Sequence, residues 1–275
     1  MNTFTYNMRA IYGSRGEAWL RQLPEQVKML AERFGLSGLT VVPNLSFNYV
    51  LTGFQGKQPV VLKLGLDVEA LARESMALRV FAGYGAVELL AEIEGGMLLA
   101  QAQPGYSLKQ YLANEERDVI AICCQVMQRL HEAPLPTAGI FPPISVWLQT
   151  IDRDWELPKA YLRKARALKS KLLAQAQAPV LLHGDLHHDN ILAHEGDWRI
   201  IDPKGVVGPP IFETWAFIKD IQQDTLYVAE RFNFDLHEVR EWYFVHLILV
   251  SCWNLSDHLV PEPFLALAHQ AYALL

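Results

Sequence analysis

The sequence predicts an α+β fold of two lobes: a small antiparallel β-sheet with one inserted helix, followed by a mostly helical lobe. Short β-like runs dominate the first hundred residues, whereas helical apolar patterns dominate the rest. Pro104-Gly105 marks a break between the two patterns. We therefore predict two domains, at residues 1–102 and 103–275, which is a reasonable division for a chain of 275 residues.

The first lobe is predicted to begin with a helix over residues 24–34. Pro24 would occupy its first position and Gly35 would lie just past its end. A second helix is predicted over residues 67–81, with Asp67 as its N-cap. The strands of the sheet are predicted at 39–42, 49–52, 60–64, 87–92 and 97–101.

The second lobe is predicted to be helical, with one strand-turn-strand island at residues 180–183 and 191–202. Its helices are predicted at 108–113, 118–132, 144–176, 212–228, 236–257 and 263–274. A β-rich lobe followed by a helical lobe that holds a short hairpin is the layout of a kinase-type fold. Because a fold does not dictate a function, the chemistry has to be argued from individual residues.

Composition and charge narrow the class of protein. The net charge of −6 argues against a nucleic-acid partner, and no apolar run is long enough to predict a membrane span. The N-terminus does not resemble a signal peptide and the three cysteines do not form a disulfide pattern, so we expect a cytoplasmic protein. The acidic excess lies in residues 205–275. These residues would form either solvated helix faces or an electrostatic funnel for a cationic substrate.

The densest group of polar residues is His183-Gly-Asp185-Leu-His-His-Asp-Asn190, which is followed by Asp202 at the end of an apolar run. Phosphoryl transfer to a hydroxyl requires a carboxylate to accept the proton and hard oxygen ligands for magnesium. Asp185, Asn190 and Asp202 could supply these groups. Two alternatives remain open: the residues cap a turn, or with the histidines they form a dinuclear metal phosphoesterase site.

Lys63 lies inside the apolar strand predicted at 60–64, either on an exposed face or in a functional position. The apolar stripe of the following helix is formed by Leu71 and Leu78, and Glu74 lies on that stripe. Because a buried acid requires a partner, we predict an ion pair between Glu74 and Lys63 that holds the lysine against phosphates. Glu69 is the alternative, but it falls on another face of the helix.

No glycine-rich phosphate loop is present between the first two strands. Ser46 and Asn48 stand in its place and could donate hydrogen bonds to phosphate, although an ordinary turn would explain them equally well.

The chain resembles the aminoglycoside phosphotransferase-like kinases, and more narrowly the aminoglycoside/hydroxyurea antibiotic resistance kinases, along nearly its whole length. The most specific blocks are Leu182-His-Gly-Asp-Leu-His-His-Asp-Asn-Ile-Leu192 and Ile201-Asp-Pro-Lys-Gly-Val-Val-Gly-Pro-Pro210. Weaker matches include Val61-Leu-Lys-Leu, Arg73-Glu-Ser-Met-Ala-Leu78 and Pro104-Gly-Tyr-Ser-Leu108.

This resemblance implies a two-lobed protein-kinase-like fold and an enzyme that uses ATP and Mg²⁺ to phosphorylate a hydroxyl. It implies that Asp185 is the catalytic base and that Asn190 and Asp202 are the metal ligands. Lys63 and Glu74 match the phosphate-binding pair. Residues 97–102 match the hinge, where the backbones of Ala100 and Ala102 would contact adenine. Ala100-Gln101 departs from the Glu-Arg that relatives often carry, which leaves the nucleotide preference open.

The acceptor is expected to be a small cationic molecule, either an aminoglycoside such as streptomycin or a related metabolite. Candidate acidic contacts are Asp152, Asp154, Glu213 and Asp220, for each of which a solvated helix face is the simpler interpretation. We expect no membrane partner and a monomer or a weak dimer. The non-enzymatic alternative is a catalytically silent kinase-like binding module, although the retained Lys63 and Asp185 argue against it.

Overall fold

The computed structural model describes residues 3–43, 45–112, 119–175, 178–257 and 259–275. The chain divides into two compact units. The first comprises Met1–Tyr106 and Leu192–Ile201, and the second comprises Ser107–Ile191 and Asp202–Leu275. The break at Tyr106 falls close to the predicted boundary at 102/103, and the assignment of a function to each lobe stays a prediction.

The first unit is built on an antiparallel five-stranded sheet with the strand order β1-β2-β3-β5-β4. Its strands are β1 (Leu36–Val41), β2 (Tyr49–Gln55), β3 (Gln58–Leu64), β4 (Leu89–Ile93) and β5 (Gly96–Ala100). Leu62 and Leu64 of β3 are fully buried because alternate side chains of a strand point to the same face. The central strand β3 pairs with both β2 and β5, so Lys63 lies in the middle of the sheet.

Helix α1 spans Thr3–Phe34 and is much longer than the helix predicted over 24–34. The helical hydrogen-bonding pattern runs across a kink at Gly13, which has φ 53°. Pro24 therefore lies inside the helix, not at its first position, so that part of the prediction was wrong. The apolar side chains that precede Pro24, among them Met8 and Trp19, are buried in the core of this unit and extend the helix towards the N-terminus.

Three short strands, β6 (Pro104–Ser107), β8 (Ile191–His194) and β9 (Asp197–Ile200), form a second sheet in the order β6-β8-β9. The predicted strand over 191–202 is thus two strands joined by the turn Glu195-Gly196, in which both residues have positive φ. The predicted pairing with residues 180–183 was also wrong. Strand β7 (Val180–Leu182) pairs instead with β10 (Val206–Gly208).

The second unit is mainly helical, and this α+β combination confirms the predicted fold class. Its helices are α3 (Leu108–Leu112), α4 (Val119–His131), α5 (Ile144–Leu148), α6 (Lys159–Gln175), α7 (Gln223–Phe232), α8 (Leu236–Ser256) and α9 (Glu262–Tyr272), while α2 (Val68–Val80) belongs to the first unit. The predicted ends at residues 113, 118 and 176 lie outside the described residues. Helix α8 is buried along most of its length and forms the centre of this unit.

Two long helices of the prediction are broken in the structure. The span 144–176 is divided into α5, a 3₁₀ turn at Gln149–Asp152, and α6, because Pro158 cannot continue a helix from the preceding turn. The span 212–228 is divided into a 3₁₀ segment at Pro210–Phe217 and the later helix α7. Among the described residues, no helix is long and apolar enough to cross a membrane.

Candidate active site

Lys63 and Glu74 form a buried ion pair in the first unit. The ammonium group of Lys63 donates to both carboxylate oxygens of Glu74, at 2.8 and 2.7 Å, and each residue is only 6% exposed. The predicted pairing is therefore present. It fixes the lysine between strand β3 and helix α2, so a rotation of the long side chain would have to break two charge-assisted hydrogen bonds.

Helix α2 begins where its sequence predicts. The Asp67 side chain accepts a hydrogen bond from the Ala70 backbone N–H at 2.9 Å, as an N-cap does. Leu71, Glu74 and Leu78 are buried on one face of the helix, which follows from their spacing of three and four residues. The capped start of the helix thus sets the rotation that turns Glu74 towards Lys63.

Ser46 and Asn48 lie in the segment between β1 and β2. Ser46 is exposed, and its carbonyl accepts a hydrogen bond from the Asn7 side chain at 3.0 Å. Asn48 is half-buried and its side-chain oxygen lies against Gly65, where a Cβ atom would come within 2.3 Å of it. A contribution of either residue to phosphate binding stays a prediction.

The predicted hinge, residues 97–102, overlaps the end of strand β5. The Ala100 N–H donates to the Glu88 carbonyl at 2.9 Å, and the Gln101 N–H donates to the Pro59 carbonyl at 3.0 Å. These bonds attach the segment to its neighbouring strands, and Ala102 is buried. The role of Ala100 and Ala102 in adenine binding stays a prediction.

The loop that carries Asp185 is anchored by Glu213 in the second unit. One carboxylate oxygen of Glu213 accepts the His183 N–H at 2.6 Å and the other accepts the Gly184 N–H at 2.9 Å. Glu213 is only 1% exposed. Both oxygens therefore hold the backbone immediately before Asp185, and a contact of Glu213 with the acceptor stays a prediction.

Further backbone bonds continue this anchoring. The Lys204 N–H donates to the His183 carbonyl at 2.7 Å, which ties the segment after Asp202 to the start of the loop. The Asp185 carbonyl accepts the His187 N–H at 2.9 Å and the Asn190 side-chain amide, also at 2.9 Å. The loop therefore turns back on itself and holds its own backbone in place.

The side chain of Asp185 is partly exposed and has two basic neighbours. Lys204 Nζ lies 3.9 Å from Asp185 Oδ2, and His187 Nε2 lies 3.8 Å from the same oxygen. Lys204 Nζ also lies 3.4 Å from Asp202 Oδ2, and so it stands beside both carboxylates. In the sequence, Lys204 is part of the motif that begins at Ile201, and no role was predicted for it. Its position could have been suspected from its place two residues after Asp202.

Asn190 and Asp202 have the chemistry that a magnesium ion requires. The Asn190 amide nitrogen donates to the Asp185 carbonyl, so the side-chain oxygen of this buried residue is the atom that could bind a cation. Asp202 has φ 66° and a partly exposed carboxylate. Carboxylate and amide oxygens are the donors that hard divalent cations prefer. These two residues therefore fit a magnesium site that a nucleotide would complete.

His188 lies in the same loop and is half-buried. Burial, assisted by the positive charge of Lys219, lowers its pKa from 6.5 to about 4, so the ring is neutral at neutral pH. Within the described residues, no cluster of three His, Cys, Asp or Glu side chains is arranged to hold a metal ion. This observation gives no support to the dinuclear phosphoesterase alternative.

The remaining acidic candidates lie on the surface. Asp152 forms an ion pair with Lys169, and Asp154 is exposed. Asp220 is exposed, and one of its carboxylate oxygens accepts the N–H groups of Gln222 and Gln223 at the start of α7. A contact of these three side chains with an acceptor stays a prediction.

The geometry defines a class of enzyme: a lysine–glutamate pair and an aspartate loop with oxygen ligands are the parts used in phosphoryl transfer by protein-kinase-like enzymes. A family model described as aminoglycoside/hydroxyurea antibiotic resistance kinase matches residues 46–241. The chain belongs to this family. It is an ATP-dependent phosphotransferase that acts on hydroxyl groups.

Individual relatives agree with this assignment. Streptomycin 6-kinase of Streptomyces glaucescens is 27% identical over 90% of this chain and 87% of its own length. Hydroxyurea phosphotransferase of Kitasatospora aureofaciens is 28% identical over 91% of this chain and 78% of its own. The fold is also that of a choline/ethanolamine kinase family protein from Mesorhizobium loti, with a TM-score of 0.68, 19% identity and 92% of each chain covered. This confirms the predicted kinase-like fold.

Proposed function

We propose that this enzyme transfers the γ-phosphate of Mg²⁺-ATP to a hydroxyl of a small cationic acceptor of the aminoglycoside class, with streptomycin as the first candidate. The observation that carries the proposal is the partly exposed Asp185 carboxylate on a loop whose backbone is held by Glu213. The names of the relatives, which include streptomycin 6-kinases, support the acceptor class.

In this proposal Asp185 orients the acceptor hydroxyl and takes its proton. Asn190 and Asp202 hold magnesium, which neutralises phosphate charge when it is bound. Lys204 lies within 4 Å of both Asp185 and Asp202, where its charge can restrain the two carboxylates in the free enzyme. Most of the rate enhancement comes from positioning and electrostatics.

Residues 1–102 act as the nucleotide-binding lobe. Lys63, fixed by Glu74, contacts the α- and β-phosphates, Ser46 and Asn48 add hydrogen bonds to phosphate, and the backbones of Ala100 and Ala102 contact adenine. Residues 103–275 act as the catalytic and acceptor-binding lobe. The ion pair of Lys63 with Glu74 supports the role of residues 1–102 in nucleotide binding, because it holds a cation in a fixed position on the central strand.

The experiment is ADP formation by the purified protein with ATP and Mg²⁺, in the presence of streptomycin, other aminoglycosides, hydroxyurea or amino-alcohols. Stimulation by one acceptor, abolished when EDTA removes the metal, is the expected result. Mass spectrometry of that acceptor should show the gain of one phosphoryl group. If ADP forms at the same rate with and without every acceptor, the proposed phosphotransfer is wrong.

A further inference from the structure

Four aromatic rings make a continuous row in the second unit, which we call the tryptophan row: Trp215, His246, Trp253 and Trp147. Trp215 stacks on His246 with ring centroids 4.1 Å apart and an interplanar angle of 15°. His246 and Trp253 pack edge-on with ring centroids 6.4 Å apart, and Trp253 and Trp147 pack edge-on with ring centroids 5.5 Å apart. The rings come from three separate elements of the chain, so only the tertiary fold brings them together.

One end of the tryptophan row touches the catalytic loop. Gly184, the residue before Asp185, packs against the indole of Trp147, so closely that a Cβ atom at Gly184 would lie 2.7 Å from Trp147 Cη2. Consecutive Cα atoms are about 3.8 Å apart. The indole of Trp147 therefore lies beside the backbone that carries Asp185.

The tryptophans of this row are only half-buried, in contrast to Trp242, which is 2% exposed in the core of the same unit. Trp242 thus serves packing alone, whereas each indole of the row keeps part of its surface accessible. A set of partly exposed indoles beside a catalytic loop instead offers aromatic faces to a ligand.

The ring that links these indoles carries no charge. His246 is 1% exposed, and burial lowers its pKa from 6.5 to about 3. Within the described part of the chain, neither of its ring nitrogens has a hydrogen-bond partner. A neutral imidazole in the middle of the row does not repel a cation, whereas a protonated one would.

Three of the four predicted acidic contacts are less suited to hold the acceptor, and only Asp154 is exposed without such an engagement in the described residues. Glu213 is buried beneath the loop, Asp152 is paired with Lys169, and one oxygen of Asp220 caps helix α7. The aromatic faces are the alternative means of recognising a cation. An ammonium or guanidinium group over an indole face is attracted by the ring quadrupole, and tryptophan gives the strongest such interaction.

We propose that Trp147, Trp215 and Trp253 form the wall that binds the cationic part of the acceptor, and that these residues determine which acceptors are phosphorylated. The expected acceptor carries an alkylated ammonium or a guanidinium group together with the hydroxyl that receives the phosphate. This inference rests on the proposed function, because it requires an acceptor hydroxyl at Asp185.

The test compares Trp147→Leu, Trp215→Leu and Trp253→Leu with the wild type in steady-state kinetics, using the acceptor that stimulates ADP formation. Leucine keeps an apolar side chain but removes the π-face. We expect the acceptor KM to rise about tenfold, in keeping with a desolvated cation–π contact, while kcat and the KM for ATP change less than twofold. Trp253→Phe should restore most of the affinity. Trp198→Leu is the control, because Trp198 packs on Tyr106 in the first unit.

Binding is measured separately, so that failure of the proposed function can be recognised. Asp185→Asn is titrated with streptomycin and with choline, and the heat of binding is followed by calorimetry without turnover. A saturable change that is lost in Asp185→Asn/Trp253→Leu supports the wall even if no compound is phosphorylated. The wall is refuted if the leucine variants keep the acceptor KM within twofold of the wild type, or if neither cation gives a saturable response.

Discussion

The ammonium group of Lys63 and the carboxylate of Glu74 are joined by two hydrogen bonds inside the first unit. The two residues are eleven positions apart in the sequence, and the turn from β3 into α2 lies between them. Both side chains are nearly inaccessible to water. Removing either ion would therefore take a close counter-charge from the buried group that remains, which is strongly destabilising.

Lys63→Met should lower the free energy of unfolding by about 3–5 kcal/mol, because it leaves Glu74 buried without Lys63. The double variant Lys63→Met/Glu74→Leu should recover most of that loss in urea denaturation but show no kinase activity. Arg79→Ala is the control, since Arg79 and Glu92 form an exposed pair whose loss should cost under about 1 kcal/mol. A double variant that is no more stable than Lys63→Met would contradict this account of the pair.

Glu213→Gln should lower kcat much more than it changes the KM for ATP. The amide replaces one acceptor oxygen with an NH₂ group, so one of the His183 and Gly184 N–H donors loses its partner and the loop shifts. A displacement of the base can cost up to about 100-fold in rate, and the unsatisfied donor about 1–3 kcal/mol of stability. The comparison variant is Glu230→Gln, an exposed position on α7, which should leave both quantities unchanged.

Gly184→Ala should destabilise the protein more than Gly139→Ala, and urea denaturation of the two variants measures the difference. Both glycines have positive φ, 84° and 91°, so each alanine meets a similar backbone cost of about 1–2 kcal/mol. Only at Gly184 does the new methyl group collide with Trp147, which adds about 1–3 kcal/mol. Equal losses at the two positions would mean that the indole does not pack against the loop as described.

Stability should fall in mild acid. The folded-state pKa values of His188 and His246 are lowered to about 4 and about 3, whereas an unfolded histidine takes up its proton near 6.5. Below about pH 6.5 the unfolded state therefore binds more protons, and unfolding becomes easier as the pH falls towards 4. Each histidine contributes up to about 1.4 kcal/mol per pH unit. His246→Phe should flatten this dependence in denaturation curves from pH 7 to 4.5, and an unchanged slope would contradict the assignment.

The sequence predicted those features that depend on local spacing. The position of Glu74 followed from the spacing of Leu71 and Leu78, and Asp67 was recognised as a cap from its place before the helix. The grouping of Asp185 and Asn190 followed because five residues of one loop cannot separate far.

Features that depend on tertiary packing were missed. Glu213 contacts a backbone some thirty residues earlier in the chain, and no spacing rule predicts such a contact. The stacking of Trp215 on His246 joins two elements of the second unit and was invisible for the same reason. The long helices predicted over 144–176 and 212–228 failed because apolar periodicity continued across Pro158 and across the 3₁₀ segment at Pro210–Phe217.

The most direct test of the central claim is the rate of ADP formation from Mg²⁺-ATP with streptomycin, measured for the wild type and for Asp185→Asn. The account predicts streptomycin-stimulated turnover in the wild type and its loss in the variant, with the affinity for ATP nearly unchanged because Lys63 is intact. Stimulated turnover that survives in Asp185→Asn would contradict the assignment of Asp185 as the base and, with it, the proposed mechanism.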